Sequence, residues 1–169
     1  MHELIRFAWG ASFLGDFMVA ASEKGIVALE FSEMRGAMEN ALRIRFPDTG
    51  LEHDQEALSG VIEALADAIE NPAVGCDLLL DLRGTPDEVK IWQLLRDIPA
   101  GQTTSYSVLA AKLGMRDARD VAIAIANNPI AVIVPCHRVI KKDGSISGYR
   151  WGVRRKRALL QREQRAVGR

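Results

Sequence analysis

The hydrophobic period of the chain changes at Arg83-Gly84-Thr85-Pro86, and that switch constrains the fold more than any other feature. Before it lie short apolar runs: Leu4, Ile5 and Phe7, then Phe17 to Ala20, then Ile26 to Phe31. Gly10, Gly15 and Gly25 separate them, which is the pattern of β strands. The stretch Glu33 to Phe46 is helical in pattern and ends at Pro47. Residues 53–70 form a stronger helix, with Leu58, Ile62, Leu65, Ala66 and Ile69 near period 3.6, closed by Asn71-Pro72. Leu78 to Leu82 reads as one more strand. The pattern predicts an α+β chain: a small three-stranded N-terminal α/β domain over 1–83 and a mostly helical domain over 84–169.

The second half opens on a strong local signal. Thr85 can cap a helix, with Pro86 at its first position and Glu88 at its third. Val89, Trp92 and Leu95 give that helix, Asp87 to Asp97, one apolar face. After the loop Ile98-Pro99-Ala100-Gly101, Tyr106, Leu109, Ala110 and Leu113 follow i, i+3, i+4, i+7. Gly114 ends this helix and Asp117 can cap the next, whose inner stripe is Ala118, Val121, Ala122 and Ile125. Two short helices across a Gly-containing turn resemble a helix-turn-helix, although any packed helix pair shares that pattern.

Composition sets the outer bounds. At 169 residues, one or two domains are expected, and 48% hydrophobic with 26% charged residues is a globular balance. No apolar run reaches a membrane span. Met1 to Gly10 carries Glu3 and Arg6 within its apolar stretch, so no secretory leader is expected and a cytoplasmic protein is. Cys76 and Cys136 are the two cysteines, which gives neither a disulfide framework nor a four-ligand zinc site; no metal or cofactor is expected. The zero net charge conceals a separation. Residues 138–169 hold 11 basic and two acidic residues, and the acidic excess lies before them. Such a block is commonly a solvated face, but here it directly follows a cysteine motif, which favours a polyanion beside a reactive group.

That motif is Pro135-Cys136-His137-Arg138-Val139, preceded by the apolar run Ala131 to Val134. A free cysteine is most often buried and inert, the fate expected of Cys76. Beside a histidine and an arginine it can instead be a nucleophile, because a nearby positive charge or base favours the reactive thiolate. A nucleophile needs a base, and the base an orienting third group. Glu163, three and four residues after Leu160 and Leu159, shares their inward helix face and is a candidate. The alternative is a surface ion pair with Lys156 or Arg162. Asn128 either stops a helix or braces the turn that presents Cys136.

These residues resemble the active-site signature of the O6-alkylguanine-DNA alkyltransferases. The resemblance continues through Gly144-Ser145-Ile146-Ser147-Gly148-Tyr149-Arg150-Trp151-Gly152-Val153 and covers Ile98 to Tyr106. The block 98–163 is similar to the methyltransferase half of bacterial Ada proteins. The first 85 residues resemble, more loosely, the family's small ribonuclease H-like domain.

The resemblance implies stoichiometric repair of double-stranded DNA containing O6-alkylguanine, with no cofactor; O4-alkylthymine stays open as a second substrate. Cys136 would take the alkyl group, His137 the thiol proton through a water, and Glu163 would orient His137. Tyr106 would donate to guanine N3 and the Ser147 N–H, beside Gly148, to O6. The carbonyls of Cys136 and Val139 would accept from the guanine amino group. The nucleotide would be flipped out. Arg119 would fill the gap in the stack from a helix lying in the minor groove, with Ala122 and Ala126 against the backbone and Arg138 among the DNA contacts. Two departures stand out: Asp120 follows Arg119, where it can repel phosphates or pair with Arg116, and Asp87 stands where relatives carry phenylalanine. A damage sensor without transfer, a Cys–His hydrolase and a plain DNA-binding regulator are the competing readings.

Overall fold

A computed structural model describes residues 3–167. The glycine-separated runs form three antiparallel strands, β1 (Leu4–Ser12), β2 (Gly15–Ser22) and β3 (Gly25–Phe31). The sheet has four strands rather than three. After α1 (Arg35–Arg45), β4 (Gly50–His53) adds to β1 in parallel, giving the order β3-β2-β1-β4. Leu78 to Leu82 is not a full strand: Leu80 makes an isolated bridge to Ile26, and Leu79 faces solvent. The helix read over 53–70 begins later, as α2 (Ser59–Glu70).

Phe17, Met18, Val19 and Ala20 are all buried, so the sheet is covered on both faces. On one face Ile5, Phe7, Trp9, Met18 and Val27 pack with Leu42 and Phe46 from α1 and its end. On the other, Ala8, Phe17, Val19 and Leu29 join a larger core. That core continues through Leu65 and Ile69 of α2 into the C-terminal helices and reaches Cys136.

The local signals after residue 84 hold. In α3 (Pro86–Leu95) Thr85 accepts from the Glu88 N–H while Glu88 accepts from the Thr85 N–H, a complete capping box. Asp87 lies exposed in the first turn, where a carboxylate suits the helix dipole, so its departure from the family pattern disturbs no packing. Ser105 caps α4 (Tyr106–Leu113), which stops at Gly114 with φ 67°, a left-handed conformation that glycine adopts freely. Asp117 caps α5 (Ala118–Ala126). Trp92 of α3 donates from Nε1 to Ala124 O of α5 at 2.9 Å. The chain then runs along the free side of β3, with Leu29 N to Pro129 O and Ala131 N to Leu29 O both at 2.9 Å. This clasp fixes the start of the segment that carries Cys136. Two-residue strands β5 (Thr104–Ser105) and β6 (Val139–Ile140) pair in parallel, and α6 (Val153–Val167) closes the fold. Among the described residues no helix is long and apolar enough to cross a membrane.

Candidate active site

The run Ala131 to Val134 is a sequence of tight turns. Val132 has φ 67°, a conformation that a β-branched residue adopts at a cost of about 1–3 kcal/mol. Ile133 N donates to Ala131 O at 2.7 Å and Cys136 N to Val134 O at 2.8 Å. Cys136, His137 and Arg138 then form one 3-10 turn. Asn128 braces the whole segment from inside. Its Oδ1 accepts from Ile130 N at 3.0 Å, and its Nδ2 donates to Val134 O at 3.0 Å and to Cys136 Sγ at 3.2 Å. The helix-stop reading applies to its neighbour Asn127, the C-cap of α5.

Cys136 is 4% exposed but lines a cavity of about 350 Å³. Tyr106, Ala122, Ala126, Gly148, Tyr149 and Arg150 share the walls. The positive surroundings do not leave a free thiolate. Burial pushes the Cys136 thiol up to about 11, against the Asn128 hydrogen bond and the Lys156 charge. The resting sulfur is a thiol, and a base has to take its proton.

The residue after Cys136 is paired with a buried carboxylate. His137 Nε2 lies 2.6 Å from Glu163 Oε1, and both side chains are fully buried. The Glu163 carboxyl is held below the usual range: its hydrogen bonds from His137 and Arg138 outweigh its burial. An ionised Glu163 accepts from Nε2–H, which leaves the lone pair on Nδ1. That atom is buried without a hydrogen-bonding partner in the protein. Burial also lowers the His137 pKa, so the imidazole is neutral and able to accept a proton. No direct His137–Cys136 hydrogen bond occurs among the described residues.

Three expectations change. Arg138 does not face outward to DNA. It is 8% exposed and forks onto Glu163 through Nε at 3.1 Å and Nη2 at 2.8 Å, while Nη1 donates to Ile98 O at 2.6 Å. An always-charged side chain is buried here because each of its three guanidinium nitrogens finds an acceptor. Ser147 is not a cavity wall; its hydroxyl contacts Tyr106 Oη at 2.6 Å, and Gly148, Tyr149 and Arg150 form the lip. Cys76 is half-buried rather than enclosed.

On α5, Arg119 is 88% exposed at the side chain, with Ala122 half-buried and Ala126 exposed. The helix therefore presents one face outward and carries it to the cavity mouth. The Arg119 guanidinium pairs with its own capping residue, Asp117, at 2.9 Å; among the described residues Asp120 makes no ion pair with Arg116.

Sequence reasoning missed two residues. Lys156 is 1% exposed and donates to Val139 O at 2.6 Å and Ser147 Oγ at 2.9 Å. The Tyr149 hydroxyl is buried beside Cys136, and burial raises its pKa well above the ordinary phenol. Val139 O is thus already engaged by one donor, as is Cys136 O by Val139 N; each carbonyl keeps a second lone pair. No group of acidic, histidine or cysteine side chains among the described residues could hold a metal.

Comparison with known proteins places this arrangement. Residues 86–165 match the family model of the 6-O-methylguanine DNA methyltransferase DNA-binding domain, and residues 5–82 that of its ribonuclease-like domain. The chain is 40% identical over 157 residues to a methylated-DNA–protein-cysteine methyltransferase of Salmonella typhimurium, covering 90% of this chain and 92% of that protein. It is 39% identical over 160 residues to the bifunctional transcriptional activator/DNA repair enzyme Ada of Escherichia coli. That match covers 94% of this chain but 45% of Ada, so the chain spans under half the length of this relative. A crystal structure of Mycobacterium tuberculosis OGT in complex with DNA superposes with a TM-score of 0.79 at 34% identity, covering 95% and 93% of the two chains. The two-part fold is that of the 6-O-methylguanine DNA methyltransferases. The chain belongs to the methylated-DNA–protein-cysteine methyltransferase family.

Proposed function

We propose that the chain repairs O6-alkylguanine in duplex DNA by moving the alkyl group onto Cys136 in a single, unrepeated reaction. The observation that carries this reading is the buried set Asn128–Cys136 and His137–Glu163–Arg138 at a cavity walled by the outward helix α5. The two family matches meet between residues 82 and 86, which supports a division at 83/84 into an N-terminal domain and a DNA-binding, alkyl-accepting domain.

The target carbon lies within the stack of a duplex, so the nucleotide is extruded into the cavity beside Cys136. Arg119 exchanges Asp117 for the space the base leaves, and Ala122 and Ala126 let the sugar–phosphate walls come close. His137 Nδ1 takes the thiol proton through a water. Sulfur then forms its bond to the alkyl carbon as the carbon–O6 bond breaks, and the guanine leaves as an anion. Tyr106 donates to ring N3, and backbone N–H groups of the lip at Gly148 to Arg150 stand in for the donor first read at Ser147. Each such donor is worth about 10²–10³ in rate, because charge develops on the base only in the transition state. The product is a thioether. A thiolate leaves saturated carbon poorly, and no neighbouring group expels the alkyl chain, so the protein is consumed. No cofactor takes part, and a cytoplasmic monomer is the working form.

The test is the intact mass of the protein after incubation with an O6-methylguanine duplex. One added methyl, located on the peptide containing Cys136 and absent in Cys136→Ala, is the expected result. Folded, unmodified protein that still retains lesion DNA would replace this reading with that of a damage sensor.

A further inference from the structure

The alkyl-transfer reading brings DNA to the C-terminal half alone, yet a second cavity crosses the junction of the two halves and adjoins the first. It holds about 530 Å³ between Arg45 and Arg83 on one side and Glu88, Ala126, Asn127 and Arg150 on the other. Ala126 and Arg150 are walls of the cysteine cavity as well, so the two share a border. The charged walls are not equally engaged. Arg83 forks onto Glu3 and Asp81, and Arg150 donates to Glu30 Oε1 at 2.7 Å and Asn128 O at 3.0 Å. The Glu88 carboxylate accepts from Thr85 N at 3.0 Å and from Asn127 Nδ2 at 3.1 Å. Arg45, the last residue of α1, is the exception. Among the described residues its guanidinium makes no ion pair and one hydrogen bond, from Nη2 to Arg83 O at 3.3 Å. It lies half-buried over the Phe46 ring, 5.0 Å from the centroid.

We propose that Arg45 binds a phosphodiester of the lesion strand beside the extruded nucleotide, with Arg150 adding charge from the cavity lip. The proposal deepens the alkyl-transfer reading and rests on it. Under that reading the sugar–phosphate chain passes Ala126, and the groove continues from that point. A guanidinium presents its donors in a planar fork that suits phosphate oxygens, and most of the Arg45 donors are unused. Burial lowers the Arg45 pKa; Glu30 and Glu88 oppose this, while Arg150 and Arg83 add to it. Like charges therefore converge on the groove, and one of them has no acid of its own. An anion between them relieves the repulsion. Arg83 supplies a wall and the carbonyl that steadies Arg45, its own fork staying on Glu3 and Asp81. No covalent bond changes; the phosphate gives up a counterion to the arginine, so the contact is read in the salt dependence of binding. The ribonuclease-like half thereby holds DNA itself as well as supporting the cysteine domain.

The test uses the full chain and an O6-methylguanine duplex in which one phosphate of the lesion strand is replaced by a neutral methylphosphonate, moved in turn over the positions flanking the lesion. Affinity and single-turnover methyl transfer to Cys136 are measured for the wild type, for Arg45→Met, which keeps an unbranched stem over Phe46, and for Arg45→Lys, which keeps the charge. Arg45→Met should bind the unmodified duplex about tenfold less tightly at low salt, and its log affinity should fall less steeply with log salt, by about 0.9. At one flanking position the methylphosphonate should weaken the wild type by a similar factor and Arg45→Met no further, the non-additivity of groups in contact. Arg45→Lys should recover the salt slope. At saturating duplex Arg45→Met should transfer methyl at the wild-type rate, which separates a contact made in binding from damage to the site. A folded Arg45→Met protein with wild-type affinity and salt slope overturns the proposal. So does a wild type indifferent to the methylphosphonate at every position, or losses that add at every position. Inorganic phosphate at matched ionic strength is the control: if it raises the melting temperature of the wild type but not of Arg45→Met, while all methylphosphonate duplexes bind alike, the groove is a free-anion site and the DNA assignment falls. A wild type that neither binds the duplex nor transfers methyl fails the alkyl-transfer reading itself, and the proposal with it.

Discussion

Two arginine–carboxylate knots, one in each half of the molecule, are built from the same parts and do different things. In the N-terminal half Arg83 forks onto Glu3, with Nη1 to Oε1 at 2.7 Å, and onto Asp81 at 2.8 Å, while Ser22 donates to Asp81 at 2.6 Å. Arg83, Glu3 and Asp81 are 29%, 39% and 14% exposed. In the C-terminal half Arg138 forks onto Glu163, which also takes His137; the side chains of Glu163 and His137 are wholly enclosed and that of Arg138 is 10% exposed. Water screens the first knot, so it ties the sheet to the start of the linker at little energetic consequence. The second has no water to fall back on. Removing one of its members leaves a charge or a proton acceptor without a partner. The difference lies in burial rather than in residue type.

The largest effect that can break this comparison is Glu163→Ala. It strands the Arg138 guanidinium and frees the His137 ring, and should cost about 3–5 kcal/mol of stability, read as the chemical-denaturation midpoint. Glu163→Gln keeps the shape and an acceptor. It should fold and still bind lesion DNA, yet transfer the alkyl group at least ~10²-fold more slowly, because the carboxylate no longer stabilises the protonated imidazole. Normal transfer by Glu163→Gln would show that the buried knot serves only packing.

Arg119 sharpens the comparison from the opposite side. Its pair with Asp117 is the most exposed arginine–carboxylate contact described at the site, and it can be exchanged for DNA at little cost. Arg119→Ala should slow transfer from duplex by ~10-fold or more, since extrusion costs a few kcal/mol, and leave the reaction with free O6-methylguanine base unchanged. The two rates, measured on one preparation, decide it; equal losses would remove the role in flipping.

What the sequence made legible was local. Thr85, Pro86 and Glu88, the stop at Gly114 and the cap at Asp117 are each decided within four residues, and each is found. The cysteine signature and Glu163 were legible too, because an acid sharing a face with Leu159 points inward with it. Non-local partners were not. Gly50–His53 is a strand only because β1 offers a free parallel edge, and nothing in those four residues announces it. Leu78 to Leu82 looks apolar enough for a strand but finds a single partner. Arg138 read as a DNA contact and Lys156 as a surface ion-pair partner of Glu163. They are buried because Ile98 O, Pro72 O, Val139 O and Ser147 Oγ, remote in the chain or around a bend, meet their donors.

The pH dependence of transfer separates the enclosed site from an ordinary exposed Cys–His pair. Burial lowers the folded His137 pKa, so the neutral base persists below the usual imidazole range, while Cys136 stays protonated up to about 11. Transfer to the protein from free O6-methylguanine base should hold a plateau through neutral pH and fall on the acid side only below pH ~6.5, the unperturbed histidine value. An acid limb centred at or above that value would mean a solvated histidine and would undo the contrast between the two knots.

The smallest effect belongs to the exposed knot. Arg83→Ala removes the fork onto Glu3 and Asp81 and the stacking of the guanidinium over Phe46, all at a partly wet surface. Its melting temperature should fall by no more than ~4 °C, in keeping with a screened surface network in a protein of this length. The transfer rate should not change, because no hydrogen bond of Arg83 reaches the cysteine cavity. High salt should narrow the gap between variant and wild type, since exposed charges are screened over about 3 Å at 1 M salt. Glu163→Gln should keep its full deficit in the same buffer, because its partners are out of the solvent's reach. If the two deficits respond to salt alike, burial is not what distinguishes the knots.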